Sequence, residues 1–149
     1  MKNIEKILVP VDFSEGSTEA ARYALSLARR LGAELHFLHI YGVPVISAPD
    51  GGFMMPPEMV ARVASDAQDG LKRFVESLPL EGIEWKRIVA DGAAHQEIVR
   101  RAKEGEFDLI VMGTHGRTGL KHFLIGSTAE RVVRLSPVPV LTVPMGDEG

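Results

Sequence analysis

Apolar segments of two kinds alternate strictly along this chain, and that order constrains its fold more than any other feature. Strand-like runs are short and β-rich; helix-like segments repeat apolar residues every three or four positions. The first run covers 5–11, with Pro10 near its end to close a strand. Ser14 can cap a helix in which Ala20, Ala21, Ala24, Leu25, Ala28 and Leu31 share a face, with Gly32 as its C-terminal stop. "AELHFLHIY", 33–41, is a second strand, and 42–57, with four prolines and three glycines, is a long loop. A helix over 57–78 presents Val60, Val63, Ala67, Leu71, Phe74 and Leu78 on one face. The run 82–90 alternates Ile83 and Trp85 with Glu84 and Lys86, as a half-exposed or edge strand does. A short helix over 91–105 leads to "FDLIVMG", 107–113, apolar enough after Asp108 to be buried on both faces. A helix over 127–135 and a strand over 137–144 complete the pattern; Pro139 places that strand at a sheet edge. The tail after it is expected to fray.

This β-α-β-α-β-α-β-loop-α-β order predicts right-handed crossovers and an α/β fold, a largely parallel sheet with helices on both faces. No repeat or linker divides the chain, so 1–149 is expected to be one domain. Seventeen basic against 20 acidic residues leave a net charge of −3, which disfavours nucleic acid as a partner. With no cysteine, disulfide scaffolds and thiolate metal sites are excluded. No apolar run nears the ~18 residues of a membrane span. "MKNIEKILVPVD" carries charges inside its apolar run and reads as a strand of the mature fold, not a signal peptide. A cytoplasmic location is the default expectation.

The chemistry concentrates in "VMGTHGRTGLKHFLIGSTAERVVR", 111–134, where Gly113, Gly116, Gly119 and Gly126 fall within fourteen residues. Strand-to-helix loops usually run about 2–6 residues; this one is about twice as long. In open α/β sheets, ligands bind beyond the carboxyl ends of strands where strand order reverses. Two strand ends carry unusual residues: Pro10-Val11-Asp12, and Gly113 with the glycine loop after it. Glycines permit positive φ and close approach of a ligand to backbone N–H groups. Ser127, Thr128 and Ala129 open a helix at its positive dipole end, and Arg117 and Lys121 add charge, so the parts make an anion cradle. Each has a plainer reading. Ser127–Glu130 fits a capping box, Gly113 a strand terminator, and Asp12 a cap for the first helix. Neither G-x-x-x-x-G-K-[ST] nor G-x-G-x-x-G is present.

The spacing Gly113-x2-Gly116-x9-Gly126-Ser127 resembles the G-x2-G-x9-G-[ST] motif of the ATP-binding branch of the universal stress protein family. "KILVPVDFSEGSTEAARYALSLA" resembles the family's opening, and "DLIVMGTHGRTGLKHFLIGSTAERVVRLSPVPVLTV" its closing half. The resemblance spans nearly the whole chain outside 42–57. It implies a Rossmann-like, adenine-nucleotide α-hydrolase-like five-stranded sheet of order 3-2-1-4-5. It also implies that Pro10, Val11, Asp12 and the Ile40 backbone surround adenine and ribose. Gly113, Gly116, Arg117, Gly126, Ser127 and Thr128 would line ribose and phosphates, with Met112 and Thr114 beside them. Phe13 departs from the small residue common there and is expected to narrow the pocket mouth.

The implied cofactor is ATP, with ADP and AMP as alternatives, and Mg or Mn arriving through the phosphates. No metal site made by protein ligands alone is expected: His36 and His39 lie on opposite strand faces, and His115 and His122 merely flank the loop. Met54, Met55 and Met59 are expected to pack under the long loop or at a partner surface. The leading functional expectation is a nucleotide-dependent stress-response switch or sensor, a homodimer paired through 137–144 and read by an unknown signalling partner, with no role at a membrane. A slow ATPase or phosphoryl-transfer enzyme and a scaffold with a vestigial pocket are the alternatives. Clustered carboxylates, a Walker lysine and S-G-G-x-D-S are all missing, which argues against fast turnover; the intact glycine loop argues against the scaffold.

Overall fold

The fold is given by a computed structural model that describes residues 2–43, 55–115 and 125–145. Strands β1 (Lys6–Pro10), β2 (Glu34–Tyr41), β3 (Trp85–Asp91), β4 (Leu109–Gly113) and β5 (Val140–Val143) alternate with helices α1 (Glu15–Leu31), α2 (Pro57–Glu76), α3 (Ala94–Glu104) and α4 (Ser127–Leu135). All neighbouring strands pair in parallel, in the order β3-β2-β1-β4-β5. The chain builds outward from β1 to β3, returns to β4 beside β1, and builds outward again. The reversal lies between β1 and β4, as the resemblance implied.

The period-two geometry of strands divides one apolar run between two cores. Ile7, Val9 and Val11 join Leu35, Phe37 and Val111 under α1 and α2, where Ala20, Ala24, Ala28, Leu71 and Val75 close the layer. Leu8, Leu38, Ile110 and Met112 face the other way, against Ile98 and Ala102 of α3 and Ala129 and Val132 of α4. Since β1 and β4 are covered on both sides, their sequences are apolar without alternation. Trp85, Lys86 and Arg87 are exposed on the outer strand β3, which agrees with its edge reading.

Punctuation behaves as expected at α1: Ser14 Oγ accepts from Ser17 N–H (3.2 Å), and Gly32 ends the helix at φ 68°. Three boundaries differ. Helix α2 stops at Glu76, where the Ser77 hydroxyl donates to the Phe74 carbonyl (2.6 Å). Helix α3 begins only at Ala94, after Gly92 at φ 132°. Strand β5 begins at Val140, because Pro139 has no N–H to offer, although its carbonyl still accepts from Ile110 (3.0 Å).

Candidate functional site

Strand β1 ends where its hydrogen bonding changes partner. Val11 N–H donates to the Leu38 carbonyl (2.8 Å), but Asp12 N–H donates to Ser17 Oγ (2.9 Å), and the chain turns into α1. Asp12 Oδ1 accepts from Ser14 N–H (3.0 Å) and from the hydroxyls of Ser14 and Ser17 (2.5 Å each). The helix cap is therefore Ser14, and Asp12 braces the turn rather than capping the helix.

Backbone direction then opens one side of β2. In a parallel pair, a residue's N–H and C=O point toward the same neighbour, and the side alternates along the strand. Leu38 faces β1, and Tyr41 faces β3 because its carbonyl accepts from Gly92 N–H (3.1 Å). Ile40 thus directs its N–H and C=O toward β1's side, beyond the point where β1 has ended.

At the end of β4, Gly113 needs its missing side chain for helix packing. A Cβ there would sit 2.8 Å from the Gly16 carbonyl oxygen, and a Cβ on Gly16 would sit 2.5 Å from that of His115. The pair lets the first turn of α1 rest on the strand exit. Positive φ was the other expected use of the loop glycines, and neither described one, Gly113 or Gly126 (φ −57°), adopts it; Gly116 and Gly119 lie outside the described residues. Thr114 N–H donates to the Val143 carbonyl (3.2 Å), and Gly126 N–H donates to the Thr114 carbonyl (2.5 Å), which ties the two ends of the glycine loop together.

The capping box does not form. Gly126 is the N-cap of α4 with no side-chain hydrogen bond, Ser127 is the first helical residue, and Glu130 pairs with Arg134 (3.1 Å). Helix α3 likewise has an N-cap, Ala93, that makes no side-chain hydrogen bond. As at α2, where Pro56 makes no cap bond either, the N-caps leave the first turns of α3 and α4 without a side-chain cap among the described residues, at the positive ends of their dipoles.

Both helices open on one cleft of about 280 Å³ at the carboxyl ends of β1 and β4. Its walls include ten of the residues singled out in the sequence: Pro10, Val11, Asp12, Ile40, Met112, Gly113, Thr114, Gly126, Ser127 and Thr128. The other two, Gly116 and Arg117, lie outside the described residues, as do Lys121 and His122. Ser17, Leu38, Ala94, Ile98, His115 and Ala129 complete the walls. Of these, Ser17, Leu38, Ala94 and Ile98 were not foreseen: Ser17 lies inside the first helix, and the other three are apolar residues with no signal beyond their element.

Phe13 corrects an expectation. It does not line the cleft; with φ 66°, its ring turns to the α1–α2 side and lies against His39 and Phe74 (ring centroids 4.2 and 6.2 Å away). The histidines of β2 occupy opposite faces, as the strand period requires. His39 Nδ1–H donates to the Val11 carbonyl (2.7 Å), while His36 bonds Glu34 (2.8 Å) and meets the Phe107 ring edge-on. Burial pushes the His36 pKa below its usual range, against the opposing pull of Glu34. Met55 is half-buried, Met59 is exposed, and Met54 lies outside the described residues. Among the described residues, no group of three or more His, Cys, Asp or Glu side chains is arranged to hold a metal ion, and no helix is long and apolar enough to cross a membrane.

The sequence model of the universal stress protein family matches residues 3–144. Universal stress protein MJ0531 of Methanocaldococcus jannaschii is 35% identical over 141 residues, covering 93% of this chain and 81% of that protein. Protein MJ0577 of the same organism is 30% identical over 152 residues, covering 93% and 94%. Its solved structure superposes with a TM-score of 0.81 over 99% of this chain and all of that one. A universal stress family protein of Arabidopsis thaliana, solved with AMP bound, shares the fold at a TM-score of 0.67 and 17% identity, over 97% and 94% of the two chains.

Proposed function

The chain belongs to the universal stress protein family, and on that premise we propose that it is an ATP-binding switch or sensor that works as a homodimer. One observation carries the reading: two helix N-termini without side-chain caps and the outward-facing amide of Ile40 converge on a single cleft. Uncapped N-termini favour anionic groups, and a backbone N–H beside a C=O suits the acceptor-and-donor edge of adenine. Leu38, Ile98 and Met112 give the base an apolar bed. Ribose lies toward Asp12, and the phosphates lie over Gly126, Ser127 and Thr128, with Gly116 and Arg117 contributing from the glycine loop. The relative with AMP bound supports the ligand class; Mg or Mn comes with the phosphates.

The groups that favour phosphate hold the ground state and the transition state alike, which stabilises occupancy without accelerating hydrolysis. The chain is therefore read as a signalling module with at most slow ATPase activity, acting in the cytoplasm through a protein partner. The homodimer forms through β5, an edge strand whose Val140 and Leu141 are only half-buried, while Val133 and Leu135 of α4 stand exposed. Titration calorimetry with ATP, adenosine and GTP tests the site. ATP is expected to bind about tenfold or more tighter than adenosine, a difference of about 1.4 kcal/mol, and GTP more weakly than ATP. Equal affinities for ATP and adenosine would sink the phosphate reading.

A further inference from the structure

Phe13 is a bulky residue at φ 66°, a backbone region that glycine enters freely and large side chains rarely adopt. It stands between Asp12 and the helix cap Ser14. The His39 ring packs on it at 4.2 Å, and that imidazole also donates from Nδ1 to the carbonyl of Val11 (2.7 Å). One side chain of β2 therefore grips the turn on both sides of Asp12. From α2, Phe74 adds a second aromatic contact, and Gly70 leaves room for the ring: a Cβ at Gly70 would come 3.1 Å from Phe13 Cζ. None of these rings lines the cleft; they hold the backbone on both sides of Asp12, whose carboxylate is itself bonded by Ser14 and Ser17.

We infer that Phe13 is a positioning residue for the ligand site: held by His39, Phe74 and the gap at Gly70, it fixes the β1–α1 turn so that Asp12 meets the ribose, and it couples helix α2 to binding affinity. This rests on the reading of the cleft as an adenine-nucleotide site. The ring lies on the α1–α2 side of the sheet, away from the cleft, so its effect on binding passes through the β1–α1 turn that carries Asp12. Helix α2 comes after the long 42–57 segment, and a shift of that helix reaches the cleft by the same route.

The test is ATP titration calorimetry on the full chain, comparing wild type, Phe13→Gly and Gly70→Ala, each also with Asp12→Ala. Phe13→Gly removes the clamp while tolerating the positive φ. It is expected to weaken ATP binding about tenfold, the worth of one hydrogen bond to a charged group, and to change it less than about twofold when Asp12 is already alanine. Gly70→Ala pushes on the ring without changing the cleft. It is expected to weaken binding in the same Asp12-dependent way while the urea midpoint holds or rises, because alanine favours helix over glycine. Losses that are equal in the two Asp12 backgrounds would mark a merely structural role and overturn the inference. So would unchanged affinity in both Phe13→Gly and Gly70→Ala. A wild-type chain that takes up no ATP would overturn the nucleotide reading itself, before any variant is compared.

Discussion

Gly113→Ala separates two explanations of the first motif glycine. If the residue is glycine so that a ligand can approach, alanine weakens binding and leaves the fold alone. The geometry gives a different expectation. The new Cβ would stand 2.8 Å from the Gly16 carbonyl oxygen and 2.9 Å from its carbon, both backbone atoms that no rotamer change can move. The first turn of α1 must lift off β4, an overpacking cost of about 1–3 kcal/mol. For a chain of this size that lowers the melting temperature by about 3–10 °C. Gly16→Ala meets the His115 carbonyl oxygen at 2.5 Å, a closer clash, offset in part by up to about 1 kcal/mol of helix propensity. Both substitutions force the same separation, so the double variant should lose less than the sum of the single losses. Urea unfolding of wild type, both single variants and the double variant, with unchanged m-values, measures this. A Gly113→Ala protein as stable as wild type, or strictly additive losses, would refute the packing account.

Other consequences are open to simple measurement. Asp108 accepts from the N–H groups of Glu5 (3.0 Å) and Lys6 (3.1 Å) and pairs with Lys2 (2.8 Å); the hydrogen bond from Lys2 leads in holding its pKa below the usual 3.8. Its stabilisation is therefore full above that ordinary value and lost as pH falls through the lower folded value. Asp108→Ala should cost about 1–3 kcal/mol at neutral pH and flatten the acid limb of the urea midpoint, and an unchanged limb would count against this. Val140→Lys should shift a homodimer toward monomer in light scattering, and a variant that stays fully dimeric would remove β5 as the interface. In a single-turnover assay with labelled ATP and magnesium or manganese, hydrolysis should run well below the ~1–100 s⁻¹ of kinases; a faster rate abolished by Asp12→Ala would promote the enzyme reading.

Strand order and the cleft were legible because they depend on patterns that survive in one dimension. Unbroken apolar runs at Ile7–Val9 and Leu109–Met112 mark strands covered on both faces, and the resemblance to a known family supplied the order that makes them neighbours. The ends of those strands then had to share a cleft, which brought Asp12 and Gly113 together. What stayed hidden depends on direction. Ala94 and Ile98 carry no polar signal, and only packing decides that the start of α3 faces the cleft. Glu130 stands where a capping box would use it, but it pairs forward with Arg134. The side on which Phe13 lands depends on a positive φ that no spacing pattern reveals.

The two ends of the sheet differ in how far their backbone polar groups are met, and the difference bears on where the cleft lies. At the amino ends of the strands, neighbouring chains answer one another. Glu34 N–H donates to the Glu5 carbonyl, Leu35 N–H to that of Glu84 and Asp108 N–H to that of Lys6, each at 2.9 Å, while the Asp108 carboxylate takes the N–H groups of Glu5 and Lys6. A non-glycine residue with positive φ, Glu106, turns the chain there, and its neighbour Phe107 is buried. At the carboxyl ends, the corresponding device is Phe13, also at positive φ. There β1 stops short of Ile40, and α3 and α4 begin without side-chain caps. A side-chain cap was within reach of this chain, since Ser14 caps α1 in the same region. The uncapped starts of α3 and α4 converge on one cleft, and under the proposed function a ligand with both hydrogen-bonding edges and negative charge would answer them.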